Sequence, residues 1–338
     1  MSTDPFDAPT PAAPPAAGTV QPDPKRDRWG RYLLPDPGEP GATSTLPWTR
    51  ATTFAKSISD TFGLTKWQCR MVAKGLTLRQ DLYARAAAAT IDDRQVLDQV
   101  VEAAKEAAGS STGASLGSAL HQFTERVDRG EQIQVPAPWD ADVAAYCKAL
   151  ADHQIEVNAA LIERIIVVRQ HHVAGTLDRI YSSPTWKLPR IGDLKTGKDL
   201  SHGWLEIAVQ LALYANADAM WNGLTDTYEP MPNVDREVGV VIHLPVGVGH
   251  ATVYEVNLTA GWDIARTCAE VRGLRNRRDL AAVMPSRPAP LLDELSQQIQ
   301  QAATQQALNL LWQQATVRGE WTIAHTELAK ARKAALTS

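Results

Sequence analysis

Between Ile162 and Asn216 the chain strings three short strand-like runs together through turn residues, then enters a helical run carrying Gln210 and Tyr214. That succession most constrains the fold, because it sets strand-period runs and a following helix in a fixed order. Ile162-Glu163-Arg164-Ile165-Ile166-Val167-Val168-Arg169 is rich in β-branched residues and reads as a strand. Ala174 to Tyr181 reads as the next, Ser182-Ser183-Pro184 supplies turn chemistry, and Arg190 to Lys195 reads as a third, closed by Thr196-Gly197. Together they predict an antiparallel meander.

The same stretch carries charge in an unusual order. One carboxylate, Asp178, follows the Gly175-Thr176-Leu177 lead-in, and a second, Asp193, stands two residues before Lys195. Side chains alternate along a strand, so Asp193 and Lys195 project from one face, and a suitable register brings Asp178 beside Asp193. Two carboxylates that close repel each other unless a cation lies between them. A hard ion, Mg2+ or Mn2+, suits that role because it prefers oxygen ligands and keeps waters and substrate phosphates in its shell. Such an ion acidifies a bound water and polarises a phosphate, while Lys195 orients the water or stabilises developing charge. The backbone carbonyl of Leu194 is a further candidate ligand.

His121, in a helical stretch opening after the Gly109–Gly113 segment, is the better candidate imidazole ligand, and His202 the lesser. Gln210 and Tyr214 are four apart on a predicted helix and share a face, from which they would touch a DNA end or position Lys195. Asp-x-Lys alone is a common fragment. Its weight here comes from order: Asp178 precedes Asp193 by 15 positions, and Lys195 precedes Gln210 by 15, with turn, strand, loop and helix filling the gaps.

The combination His121, Glu163, Gly175-x-x-Asp178, Asp193-x-Lys195 and Gln210-Leu-Ala-Leu-Tyr214 resembles the RecB-type branch of the PD-(D/E)XK nuclease superfamily over roughly residues 115–260. The resemblance implies a restriction-endonuclease-like core, a mixed central sheet flanked by helices. It implies metal ligation by His121, Asp178 and Asp193, catalytic assistance by Lys195, and a site completed by Gln210 and Tyr214. Glu163 matches an acidic residue often found on the strand before the first aspartate. The implied activity is Mg2+-dependent DNA exonuclease action in recombination, repair or replication, in a phage or bacterial protein. A structure-specific endonuclease and a non-catalytic DNA- or protein-binding scaffold are the alternatives. DNA is the expected partner, with a single-strand annealing protein or a helicase as a further one. Many members of the branch bind an iron–sulfur cluster through four cysteines. This chain has three, Cys69, Cys147 and Cys268, far apart, so no cluster is expected.

Other chemistry is not signalled. His171 and His172 are adjacent and, on a strand, would point to opposite faces, which argues against zinc. No GxSxG nucleophile motif and no GxxxxGK[ST] phosphate loop occurs, so any ATP-driven motor would be another protein. The net charge of −4 does not advertise nucleic-acid binding, although a nuclease can keep its basic surface local.

The rest of the chain sorts by composition. Residues 1–45, rich in Pro, Ala, Asp and Gly, read as a disordered tail. Residues 46–114 read as an N-terminal helical region, including a helix from Leu64 ended by Gly75. The core is expected over 115–283, extended by strands over Glu237–Pro245 and Ala251–Leu258. A helix over Ala260–Leu280 brings Arg266, Arg272, Arg275, Arg277 and Arg278 together as a candidate phosphate-binding cluster. Residues 291–338 read as a helical hairpin broken at Arg318-Gly319-Glu320-Trp321. No apolar run spans a membrane, no secretory segment leads the chain, and few cysteines fit a reducing compartment. A cytoplasmic location is therefore expected, that of the host if the chain is phage-encoded.

Overall fold

A computed structural model describes residues 22–38, 44–110, 112–281 and 293–337. The chain is of the mixed α/β class and divides into two compact units, Met1–Asn276 and Arg277–Ser338.

In the first unit the strands form two mixed sheets. One runs β1 (Tyr32–Pro35), β2 (Thr45–Arg50), β5 (Val173–Leu177), β4 (Arg164–Val168), β8 (Ala219–Asn222) and β9 (Thr227–Pro230) in spatial order. The other runs β11 (Thr252–Asn257), β10 (Asp235–His243), β7 (Arg190–Lys195), β6 (Arg179–Ser182) and β3 (Glu156–Val157). The run Arg164-Ile165-Ile166-Val167-Val168 is buried throughout, as expected of an interior strand. Each aliphatic side chain so buried contributes about 1.5–3 kcal/mol.

The single strand expected over Ala174–Tyr181 is two strands in two sheets, and the change of sheet falls at Asp178. On one side β5 pairs antiparallel with β4, from Val173↔Val168 to Leu177↔Arg164. On the other, β6 pairs antiparallel with β7, Arg179 opposite Gly192. A continuous strand would have to place Asp178 and Arg179 on the opposite faces of one apolar ladder. At the break both are paired instead. The meander is therefore right for each neighbouring pair but is divided between the sheets. Two strand pairs are parallel, β2 with β5 and β7 with β10. The passage from β7 to β10 carries α7 (Trp204–Ala215), whose buried residues include Ile207, Val209, Leu211, Leu213 and Tyr214.

Helices α1 (Ala51–Ala55) and α8 (Leu258–Arg275) join α7 in the largest apolar cluster. Gly261 permits the α7–α8 approach, since a Cβ there would stand 2.2 Å from the Ala208 carbonyl oxygen. Helices α5 (Thr112–Asp128) and α6 (Trp139–Asp152) supply Leu120, Val143 and Tyr146 to a second cluster with Tyr181, Leu194 and Ile242.

The N-terminal part departs from expectation in three ways. First, β1 lies inside the segment expected to be disordered. The short Tyr32-Leu33-Leu34 run pairs with β2, and Tyr32 and Leu34 are buried. Residues 1–21 and 39–43 of that segment lie outside the described residues. Second, the region from 46 to 114 is not only helical: β2 and α1 belong to the core. Third, α2 (Phe62–Leu78) runs straight through Gly75. It packs with α3 (Gln80–Ala88) and α4 (Arg94–Ala107) around Leu82, Val100 and Ala104. A Cβ on Gly75 would lie 1.8 Å from the Ala104 carbonyl oxygen, so this glycine serves close helix contact rather than helix termination.

Among its described residues the second unit holds three helices where two were expected: α9 (Glu294–Gln301), α10 (Gln305–Val317) and α11 (Ile323–Ala335). The break at Arg318–Trp321 falls as expected. Thr322 caps α11, its hydroxyl accepting the His325 N–H while the His325 ring accepts the Thr322 N–H. Among the described residues, no helix is long and apolar enough to cross a membrane.

Candidate active site

The seam between the sheets gathers the charged residues. At Asp178, Oδ2 accepts the Leu194 N–H at 2.7 Å, which fixes this carboxylate against the Asp193-Leu194-Lys195 segment of β7. Oδ1 accepts from Arg179 Nη1 at 2.5 Å. Asp193 and Lys195 share a face of β7, and Lys195 Nζ lies 2.7 Å from Asp193 Oδ2. Both aspartates are buried, whereas the Lys195 side chain is 27% exposed and so reaches the surface. Glu163 stands just before β4 with φ of +55°, a left-handed conformation uncommon outside glycine. Its N–H donates to the Asp178 carbonyl oxygen at 3.1 Å.

The carboxylates feel one another. Burial, then the charges of Asp178 and Glu125, push the Glu163 carboxyl up to about 8. Burial also raises Asp193, with Asp178 adding to the effect and Lys195 opposing it. For Asp178, burial opposes ionisation, but Arg179, His121, the Leu194 N–H and Lys195 outweigh it and hold the carboxyl below its ordinary value. Burial would discharge Lys195, yet Asp193 and Asp178 keep it above the usual lysine value. His121 on α5 is near enough to act electrostatically on both aspartates.

A second group of residues supports this cluster. Arg179 is fully buried. It donates to Asp128 Oδ2 at 2.6 Å, to Thr124 Oγ1 at 2.8 Å and to Asp178, with its guanidinium 5.7 Å from the centre of the Tyr146 ring. Tyr146 in turn donates to Asp128 at 3.0 Å. His121, Thr124, Glu125 and Asp128 recur at helical spacing along α5, so one helix supplies charge to Glu163 and an anchor to Arg179. Gln210 Nε2 donates to Tyr214 Oη at 3.0 Å. Asp193 and Glu163 are near enough to help burial raise the Tyr214 phenol. Gly175 is the seat of that tyrosine: a Cβ there would meet Tyr214 Cε1 at 2.6 Å.

The structure thus brings together His121, Glu163, Asp178, Asp193, Lys195 and Tyr214, with Gln210 held to Tyr214. It adds Glu125, Arg179, Asp128 and Thr124, which the sequence reading passed over. Glu125 had a signal, since it stands one turn after His121. Asp128 had none, because its partner lies 51 residues away. The five arginines do not form a free cluster. Arg266 pairs with Asp263 and Arg277 with Asp279. Arg272 donates to Thr49 and Arg275 to the Ser57 carbonyl, while Arg278 reaches the Arg277 carbonyl. The helix that was to carry all five ends at Arg275. His202 is exposed, in the turn region before α7. His171 and His172 are in a turn rather than a strand, packed against Trp262 and Trp48 respectively. Cys69, Cys147 and Cys268 are free thiols on three different helices.

As they stand, no three His, Cys, Asp or Glu side chains among the described residues converge as an ion-holding group. Arg179 claims Asp178, and Lys195 claims Asp193. The donor set nonetheless fits a hard divalent ion. It is oxygen-rich with one imidazole, its Glu163 is driven toward protonation, and Asp193 Oδ2 is buried with no hydrogen bond beyond its ion pair. No protein-family model and no curated protein matches the sequence.

Proposed function

We propose that this chain is a Mg2+- or Mn2+-dependent deoxyribonuclease with a RecB-type PD-(D/E)XK core, acting from DNA ends in recombination, repair or replication. The observation that carries the reading is that Glu163 and Lys195 lie within electrostatic reach of two buried aspartates, Asp178 at the sheet seam and Asp193 on β7, with His121 acting on both aspartates. A fold that only needed stability gains little from crowding three carboxylates, because each disfavours ionisation of the next. Clustered, shifted carboxylates of this kind mark functional sites more often than structural ones.

In this reading Asp178 and Asp193 hold the ion, assisted by His121 and Glu163. A divalent ion bound there polarises a phosphate and acidifies a water. Lys195, held protonated by its two aspartates, faces a phosphate as a cation and stabilises charge developing on it. Arg179 positions Asp178 and leaves its carboxylate ionised. The Gln210–Tyr214 pair gives the site a polar wall on α7. The protein would work in a bacterial or phage-infected cytoplasm, with DNA as substrate and a single-strand annealing protein or a helicase as partner.

The test is digestion of end-labelled linear DNA, single- and double-stranded, beside closed circles, with Mg2+, Mn2+ or EDTA. Asp193→Ala and Lys195→Ala run in parallel. The expected result is metal-dependent loss of linear DNA alone, abolished by both substitutions. Cutting of circles would change the reading to endonuclease. DNA bound but uncut with either metal would refute it and leave a binding scaffold.

A further inference from the structure

The C-terminal unit carries its own binding feature. A cleft of about 230 Å³ opens between α10 and α11, lined by Leu308, Asn309, Trp312, Trp321, Lys330 and Lys333 among others. That volume is below the roughly 300–1,000 Å³ of whole-ligand sites, and suits a single flat ring. Trp312 is 50% exposed, which leaves part of its ring open to the cleft. Trp321 is fixed in place, its indole N–H donating to Thr326 Oγ1 at 2.9 Å and its ring packed on His325. His325 is itself hydrogen-bonded to Asp293 at 3.0 Å.

The chemistry around the two indoles is cationic and amide-bearing. Lys330 has only a surface ion pair with Glu327, which solvent weakens. Arg332 is spent on the Ala302 carbonyl, at 2.9 Å. Lys333 has no ion-pair partner among the described residues. Asn309 adds donors and an acceptor for a ring edge. From Arg277 to Ser338 there are seven Lys/Arg against five Asp/Glu, although the whole chain carries −4. Exposed indoles beside cations fit an unpaired base with its phosphate, because every base has a stacking face.

We infer that this cleft binds single-stranded nucleic acid, stacking a base on Trp312 and Trp321 and taking the adjacent phosphate on Lys333. The site is separate from the carboxylate cluster, and the inference does not depend on cleavage.

The experiment uses the full chain carrying Asp193→Ala, in EDTA, so that binding is read without digestion. Fluorescein-labelled oligo(dT) and oligo(rU), each of about twenty nucleotides to exceed one site size, are titrated by anisotropy. Trp312→Ala should weaken binding by about five- to a hundredfold, the range of one base–aromatic stack, while Trp312→Phe retains most of it. Lys333→Gln should reduce the slope of log K against log salt by about 0.7. An oligonucleotide bearing 5-iodouracil should photocrosslink to α10 or α11. Binding of both strands supports a site for base and phosphate; a preference between them would come from the 2′-hydroxyl or from the thymine methyl, since both differ. Unchanged binding by folded Trp312→Ala, crosslinks confined to the first unit, or no binding of either strand would overturn the inference.

Discussion

Arg179→Met is the sharpest test of how the candidate site is held. The guanidinium is 0% exposed and bridges Asp128, whose side chain is 2% exposed, and Asp178, at 8%. Methionine keeps much of the stem volume but leaves two buried carboxylates without their cation. Removing one partner of a buried ion pair costs about 3–5 kcal/mol, and losing the bond to Thr124 adds about 1 kcal/mol. The loss should depend on pH with a definite sign. Burial already holds Asp128 above its ordinary value despite Arg179. Without the arginine, both carboxyls would titrate higher in the folded than in the unfolded chain. The variant is then least destabilised in acid, where both are protonated, and loses stability as pH rises through the raised values. Adding Asp128→Asn should recover part of the deficit at pH 7. Because the chain divides into two compact units, hydrogen exchange at the β6 and β7 amides is a more direct readout than one global transition. A loss below about 1 kcal/mol at pH 7, or one equal at pH 5 and pH 7, would refute the view that Arg179 anchors Asp178 to α5.

Three further predictions concern neighbouring residues. Glu163 is raised from 4.5 to about 8, so its contribution to stability is fully present below pH 4.5 and is lost as pH rises toward 8. Glu163→Gln, which keeps a donor toward Asp178, should therefore be more stable than the parent at pH 7 in EDTA by at most about 3 kcal/mol. Urea unfolding that gives the same difference at pH 5 and pH 8 would contradict this. Gly175→Ala should cost about 1–3 kcal/mol through its clash with the Tyr214 ring, and Tyr214→Leu in the same chain should return part of it in thermal melts. Gly75→Ala should speed hydrogen exchange in α2 and α4 while sparing β7; protection unchanged in both helices would mean that they do not meet at this glycine.

The reach of the sequence ended where pairing over long distances began. The run Arg164–Val168 was readable because its β-branched content states its own burial, and Arg190–Lys195 because turn residues bound it on both sides. The helix of Gln210 and Tyr214 was equally plain. The change of sheet at Asp178 was not, because Leu177 and Ile180 continue an apolar pattern across it, and only the partners of Asp178 and Arg179 show why the ladder stops. Gly75 illustrates the same limit. Near the end of a helical pattern, glycine signals a terminus, and only the nearness of Ala104 reverses that meaning. Tyr32 and Leu34 were hidden by surrounding proline and glycine, although β2 gives them a place in the core. The candidate site divides along the same line. Residues that would meet a ligand could be picked out by type and order, whereas Asp128 and Thr124 act through Arg179, and Arg179 through its hold on Asp178. Their detection required the fold, and their burial makes them the residues whose substitution would most directly separate a defect in positioning from a defect in chemistry.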